Sequence, residues 1–438
     1  MTEVFCHSDD LHLKSSKANI RVRLFDVAQP GEASVGNRVR AELARLDATV
    51  SQAAFDFLAI ALSVASADRF VLRSDAPDGF GRNIKLVIGL ADPARWTPAK
   101  PKMEEALSFL SGDKWELEFL PGGHSAPVLA ERNRKKKTQL SVENLDEVCL
   151  FSGGMDSLIG AIDRISEGRR PLLVSRSTRG DSQHQEYLRL RLGGVPNLSI
   201  NDDIRGPFSG EPSTRSRSMV FLALAACGAS AISNVHGAPS VSLIIPENGF
   251  IALNPPLSTR RIGALSTRTV HPHFIGTLQE VFDLVGIPAR IENPFYFLTK
   301  GEALTACRDQ DLLKRTISHT VSCGKWKRYW QQCGRCLPCL IRRAAFHAAG
   351  LPDDTATSSR KGYRFDDLSV ALAGAADRAD IRAVAIAIQR ARVRDIRSWL
   401  IESGPLPMDT TVRGGHMEVA ERGLAEIEQF LRFKGIKA

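Results

Sequence analysis

Val148-Cys149-Leu150-Phe151-Ser152-Gly153-Gly154-Met155-Asp156-Ser157 is the stretch on which the reading of this chain turns. Residues 148–151 are apolar and read as a short buried strand. Ser-Gly-Gly interrupts them, and the pattern from Leu158 to Ile165 is that of an amphipathic helix. Two glycines allow a tight turn and a close approach of backbone to ligand. Loop N–H groups together with a helix N-terminus form an anion site. Ser152 and Ser157 add hydroxyl donors. Asp156 beside a phosphate fits a Mg²⁺ ligand. The spacing is not that of the Walker loop, which needs G-x-x-x-x-G-K-[ST]. A plain Ser-Gly-Gly turn capping a helix would use the same residues. The position after a strand, at the head of a strand–helix series, favours the phosphate site.

Reading downstream, Pro171–Ser175 is a strand, Arg217–Ala231 a long apolar helix and Phe274–Val285 an amphipathic one. Such alternation predicts a parallel sheet with helices on its faces. Upstream, Ile20–Phe25, Asn83–Leu90 and Trp115–Leu120 read as strands, and Thr49–Ala67 and Lys102–Leu110 as helices. They suggest a small α+β unit carrying no chemical motif. Glu131–Lys137 (ERNRKKK) is a basic run without interleaved aromatics, a solvated linker or a phosphate contact. Ile381–Ser403 and His416–Phe433 are helical patterns on either side of the turn-rich Gly404–Gly415. The expected division is 1–140, 141–360 and a helical extension 361–438. No internal repeat is visible.

Composition sets outer limits. With 438 residues, 43% apolar and 24% charged, the chain is neither disordered, collagenous nor a coiled coil. Lys plus Arg number 58 against 49 Asp plus Glu, a net +9 that favours anionic partners without choosing among them. Nucleic acid is thus an open but unfavoured partner. The most apolar stretch, Phe57–Ala67, falls well short of the roughly 20 residues of a membrane span. The opening MTEVFCHSDD lacks the basic-then-apolar pattern of a secretory leader, so a cytoplasmic, membrane-free protein is expected.

Cys6, Cys149, Cys227 and Cys307 are scattered, but Cys323, Cys333, Cys336 and Cys339 cluster. Four thiolates around a Gly334 turn predict a structural Zn²⁺ site; an iron–sulfur cluster uses similar spacing. Lys325, Lys327, Arg328, Arg335, Arg342 and Arg343 surround it, either offsetting thiolate charge or forming an exposed cationic face. Thr299-Lys300-Gly301-Glu302 has capping-box spacing, with Lys300 free to reach a phosphate or substrate. Arg215 and Arg217 start a helix where cations oppose the dipole, which a nearby anion would explain. His271 and His273 flank Pro272 in a loop that also holds Arg268.

SGGMDS resembles the pyrophosphate loop of the PP-loop ATP pyrophosphatases. Taken in order with RSRSMVFLAL (215–224), TKGE (299–302) and CGRCLPCLIRRAAFHAAGLPD (333–353), it makes residues 145–355 similar to the 7-cyano-7-deazaguanine synthase family, QueC. The resemblance implies a Rossmann-like PP-loop domain of the adenine nucleotide alpha hydrolase kind, using ATP and Mg²⁺ and holding a structural Zn²⁺. ATP would be cleaved between its α and β phosphates, a carboxylate adenylated and a nitrogen nucleophile joined to it. The nucleotide would sit on Leu150, Phe151, Ser152, Gly153, Gly154, Met155, Asp156 and Ser157, with Arg215 and Arg217. Asp156, Ser157 and Lys300 would be catalytic, Arg268, His271 and His273 would meet the substrate, and Cys323, Cys333, Cys336 and Cys339 the zinc. Three departures stand out: the N-terminal unit, the helical tail, and Ser266–Phe274 in place of the family's Asp-Cys-Arg-Pro-Glu-Phe segment, after an insert at Glu247–Leu265. The extension and STRTVHP are similar to the QueC-like subunit of the Qat anti-phage system. That implies a partner protein encoded in the same operon, recognised by the N-terminal unit, and a deazaguanine-like or peptide carboxylate as substrate. Truncation near Lys137 would then leave nucleotide binding intact. The alternatives are 7-cyano-7-deazaguanine synthase proper, an RNA-modifying PP-loop enzyme and a non-catalytic subunit of a defence complex.

Overall fold

A computed structural model describes residues 1–127, 139–177, 180–257, 268–356, 361–368 and 375–437. The basic run Glu131–Lys137, and Leu265, Ser266 and Thr267, lie outside these residues. Ten strands form two five-stranded sheets among them. The first holds β1 (Thr2–His7), β2 (Ile20–Leu24), β3 (Ala33–Val35), β4 (Asn83–Gly89) and β5 (Lys114–Leu120) in the order β3-β2-β1-β4-β5. Each of its strand pairs is parallel. The N-terminal unit is therefore α/β, not the α+β unit expected from sequence. The expectation missed β1, at the very start of the chain, and β3, only three residues long and below the reach of any periodicity.

The second sheet holds β6 (Glu147–Leu150), β7 (Pro171–Arg176), β8 (Asn197–Ile200), β9 (Val241–Ile244) and β10 (Ala289–Glu292), all parallel, in the order β10-β9-β6-β7-β8. Both sheets are wound alike: the first strand is central, two follow on one side, and a long helix then crosses to the other. Those crossover helices, Gln52–Phe70 and Arg217–His236, lie antiparallel against each other. At one end the Ser51 amide donates to Ser230 Oγ (3.2 Å); at the other, Asp68 Oδ2 accepts from the amides of Arg215 (2.6 Å) and Ser216 (2.8 Å). Each helix is covered by its own sheet on one side and by its counterpart on the other. Both are thus apolar all round instead of amphipathic. Arg217–His236 is long and apolar enough to cross a membrane by composition, yet it is mostly buried inside the fold. A chain with no visible sequence repeat has folded into one winding twice.

One hydrophobic core runs through both sheets, from Val4 to Ala289. The boundary near residue 140 separates the sheets but does not divide that core. Beneath the crossover pair, Arg82 Nη2 is 2.6 Å from both Asp68 Oδ1 and Asp113 Oδ2, and Arg73 also pairs with Asp113. A second core joins the C-terminal helices Ala375–Val393, Ile396–Leu400 and Thr410–Phe433 to the Leu337–Ala348 helix, through residues such as Leu340, Trp399 and Leu431.

Candidate active site and metal centre

Strand order reverses between β6 and β9, and the crevice at the carboxyl ends of such strands is where open α/β sheets bind ligands. The SGGMDS loop leaves β6 at that point. Leu150, Phe151 and Met155 are buried, and the Phe151 amide is tied to Val174 O (2.7 Å), so these three anchor the loop. Gly153 has φ +80°, a conformation that suits glycine. Gly154 is the N-cap of the Met155–Ser166 helix, and no side chain caps its first-turn amides. Ser152 Oγ accepts from the Gly154 amide (3.2 Å) and donates to Ser157 Oγ (3.1 Å), which donates to Gly154 O (3.0 Å).

The matching place after β1 is built differently. There the Asp9 carboxylate accepts from the amides of Leu11 and His12, so the helix N-terminus already holds an anion of its own. His7 fills the crevice, its Nε2 3.0 Å from Pro121 O. One winding thus presents open amides and the other closed ones.

Asp156, on the first turn after the loop, is buried. Its Oδ2 accepts from Lys300 Nζ (2.7 Å) and Asn248 Nδ2 (2.8 Å). Burial alone would raise this carboxyl, but the Lys300 ammonium beside it holds it below its ordinary value. Oδ1 is buried without a partner among the described residues. An orphaned carboxylate oxygen beside uncapped amides fits a Mg²⁺–phosphate group, with Asp156 as the oxygen ligand; the ion would neutralise phosphate charge there.

Three cavities share Ser152. One of about 220 Å³ is lined by Asp156, Ser157, Glu247, Lys300 and Ser322. A second, of about 300 Å³, is lined by Arg176, Gln185, Arg215, Arg217 and Thr269. A third, of about 430 Å³, is lined by His184, Arg217, Lys325, Trp326 and Lys327. Sequence reading missed Asn248, Glu247, Gln185 and Arg176. Asn248 and Glu247 follow β9, the strand next to β6, so the switch-point rule alone could have marked them.

Arg217 lines two of these cavities and makes no hydrogen bond or ion pair of its side chain among the described residues. Arg215 is more committed. Its Nη1 donates to Ser111 O (2.6 Å), the guanidinium lies 4.3 Å from the Phe80 ring centre, and burial lowers its pKa to about 10. Arg268 and His271 are drawn to Phe109 of the N-terminal half: Arg268 Nη1 donates to Phe109 O (3.1 Å), and the His271 ring centre lies 5.0 Å from that of Phe109. His271 Nδ1 accepts from the His273 amide, capping the Pro272–Val285 helix, and burial lowers its pKa to about 3. His273 lies 3.7 Å from Glu105. Of this segment, Thr269 is the described residue that lines a cavity beside Ser152.

The four clustered cysteines converge, all within 4.8 Å of one another. Cys333 and Cys339 sulfurs are 3.9 Å apart, Cys336 and Cys323 3.8 Å. A tetrahedral ion with Zn–S bonds of 2.3 Å has edges of about 3.8 Å, so the cage has the size of one Zn²⁺. Gly334, at φ +80°, packs where a Cβ would come 2.5 Å from Phe365 O. The basic residues nearby divide: Lys327 and Arg328 are exposed, whereas Arg335, Arg342 and Arg343 are buried. Arg342 is fully buried and donates to Thr320 Oγ1 (2.6 Å) and Ile317 O (3.1 Å), and Arg343 donates to Gly334 O (3.2 Å).

Fold and site define an α/β protein with an uncapped Ser-Gly-Gly loop at the switch point and a four-cysteine cluster that could hold a metal ion. Residues 270–350 match the family described as "Queuosine biosynthesis protein QueC". The chain is 41% identical over 76 residues to the 7-cyano-7-deazaguanine synthase of Paracoccus denitrificans, covering 17% of this chain and 30% of that one. It is 24% identical over 238 residues to the enzyme of that name from Pseudomonas paraeruginosa, covering 48% of this chain and 96% of that one. For Cupriavidus necator the values are 42% over 66 residues, 15% and 28%. The chain thus spans less than a third of the Paracoccus and Cupriavidus relatives and nearly all of the Pseudomonas one. Over these residues it is similar to the QueC family.

Proposed function

We propose that the chain is an ATP-dependent, AMP-forming enzyme that adenylates a carboxylate and passes the acyl group to a nitrogen nucleophile. The observation that carries this reading is the uncapped SGGMDS loop with the buried Asp156–Lys300 pair beneath it. A substrate carboxylate oxygen attacks the α-phosphorus of ATP, and the α–β bond breaks. Pyrophosphate leaves, held by the amides of the loop, the hydroxyls of Ser152 and Ser157, and Lys300 beside Asp156. The nitrogen nucleophile then attacks the acyl carbon, its proton goes to solvent, and AMP leaves. The protein supplies positioning and charge stabilisation and no covalent nucleophile.

The N-terminal half and the C-terminal helices support the narrower reading of a cytosolic, Qat-type defence enzyme acting on a partner protein encoded alongside it. Incubation of the full chain with Mg-ATP and candidate partners, read by intact mass, tests it. A mass gain on a partner together with AMP release is expected. The near-complete span of the Pseudomonas relative favours a second reading, the synthase reaction itself. Conversion of free 7-carboxy-7-deazaguanine and ammonia to the nitrile, with no partner modified, would establish that reading instead.

A further inference from the structure

The helix Thr410–Phe433 lies outside the segment that matches the QueC family. One face of it meets the first turn of the Lys300–Ala306 helix. Glu426 accepts from Thr299 Oγ1, the cap hydroxyl of that short helix, and from the Gly301 amide (3.4 Å). One turn earlier, Arg422 Nε donates to Glu302 Oε1 (2.6 Å) and Nη2 to Phe297 O (2.7 Å). Two side chains spaced i, i+4 therefore grip both ends of the Thr299–Glu302 capping box. Lys300, between them, is the residue that reaches Asp156. Gly301 fits the same picture, because a Cβ there would lie 2.5 Å from Glu426 Oε1.

We propose that Glu426 and Arg422 are positioning residues, through which the C-terminal helix fixes the short helix so that Lys300 is held on Asp156 at the phosphate loop. The charged groups around Glu426 are Lys300 and Glu302 on the short helix and Arg422 on its own. The Leu337–Ala348 helix presents Ala348, which packs on Gly301. Burial, reinforced by Glu302, raises the Glu426 carboxyl to about 7. The docked carboxyl thus prefers its protonated form, so the hold is firmest below that pH and weakens as pH rises through it.

The proposal rests on the ATP reading only for its catalytic meaning, so its test reads Lys300 directly. The full chain and the variants Glu426→Ala, Glu426→Gln and Arg422→Ala are labelled briefly with an acetylating reagent, and each lysine is quantified by mass spectrometry. Lys300 labelling should rise at least threefold in Glu426→Ala, while Lys85 and Lys102, paired elsewhere on the surface, stay unchanged. In the wild type it should fall as pH falls from 8 to 6 relative to those two lysines, and Glu426→Gln should remove that pH dependence. Unchanged Lys300 labelling in both Glu426 variants overturns the proposal, as does an equal rise at every lysine, which would mean loosening of the whole fold. In parallel, Mg²⁺ and α,β-methylene-ATP are titrated into each protein. Absence of binding by the wild type would contradict the ATP reading and leave the labelling result standing by itself.

Discussion

Lys300 and Asp156 are nearly buried, with side chains 9% and 6% exposed. A buried pair has a specific consequence when one partner goes: the other is left charged without compensation. Lys300→Ala is expected to cost about 3 kcal/mol of stability, measured by urea unfolding. Asp156→Asn in the same background should recover much of that cost, since it removes the stranded charge. The pH dependence has a definite sign. The Asp156 carboxyl is lowered in the folded protein, so the stability it contributes is present above the ordinary carboxylate range and is lost only as pH falls through the lowered value. Asp156 and Lys300 could be read from sequence because each sits in a local motif with its own spacing. Glu426 and Asp68 could not. Each acts on a residue 127 to 148 positions away, and no local pattern records such a contact.

Among the elements, the strand leading into the SGGMDS loop, the capping box at Thr299 and the convergence of the four cysteines were legible, because each rests on a short signature of a few residues. β8 was not, being four residues with two half-buried ones. The crossover helices were found as helices, but their all-round apolarity gave no direction for the face that packs. What they pack against is each other, locked by Asp68. Asp68→Ala is expected to cost about 3 kcal/mol, because it leaves the buried amides of Arg215 and Ser216 ahead of the Arg217–His236 helix without their acceptor and removes a partner of buried Arg82. A denaturant curve should show this as a single cooperative transition, with both halves failing together. The cysteine centre has its own test. Metal analysis should give about one zinc per chain, and Cys336→Ser should lower the melting temperature, because binding energy at such a site is folding energy. Iron with a visible chromophore would contradict the assignment.

At the scale of the molecule, the N-terminal half is a second, closed copy of the winding that shares one core with the first. Sequence comparison of the halves could not show this, since winding order is carried by sheet topology and not by residue identity. It also argues against an independent fragment on truncation. Removing residues 1–138 would expose the packed face of the Arg217–His236 helix, so the fragment is expected to be insoluble or to lose nucleotide binding. A soluble fragment binding as the full chain does would show that the halves are independent. The central claim, that SGGMDS with Asp156 and Lys300 forms a Mg-ATP site, is tested most directly by calorimetric titration of the full-length protein. The titrant is α,β-methylene-ATP, whose α–β linkage resists cleavage, with Mg²⁺ present. The wild type should bind with about one site per chain, and Asp156→Asn and Lys300→Ala should each weaken binding about tenfold or more, or 1.4 kcal/mol. Equal affinity in the wild type and both variants, or no binding by the wild type, would contradict it.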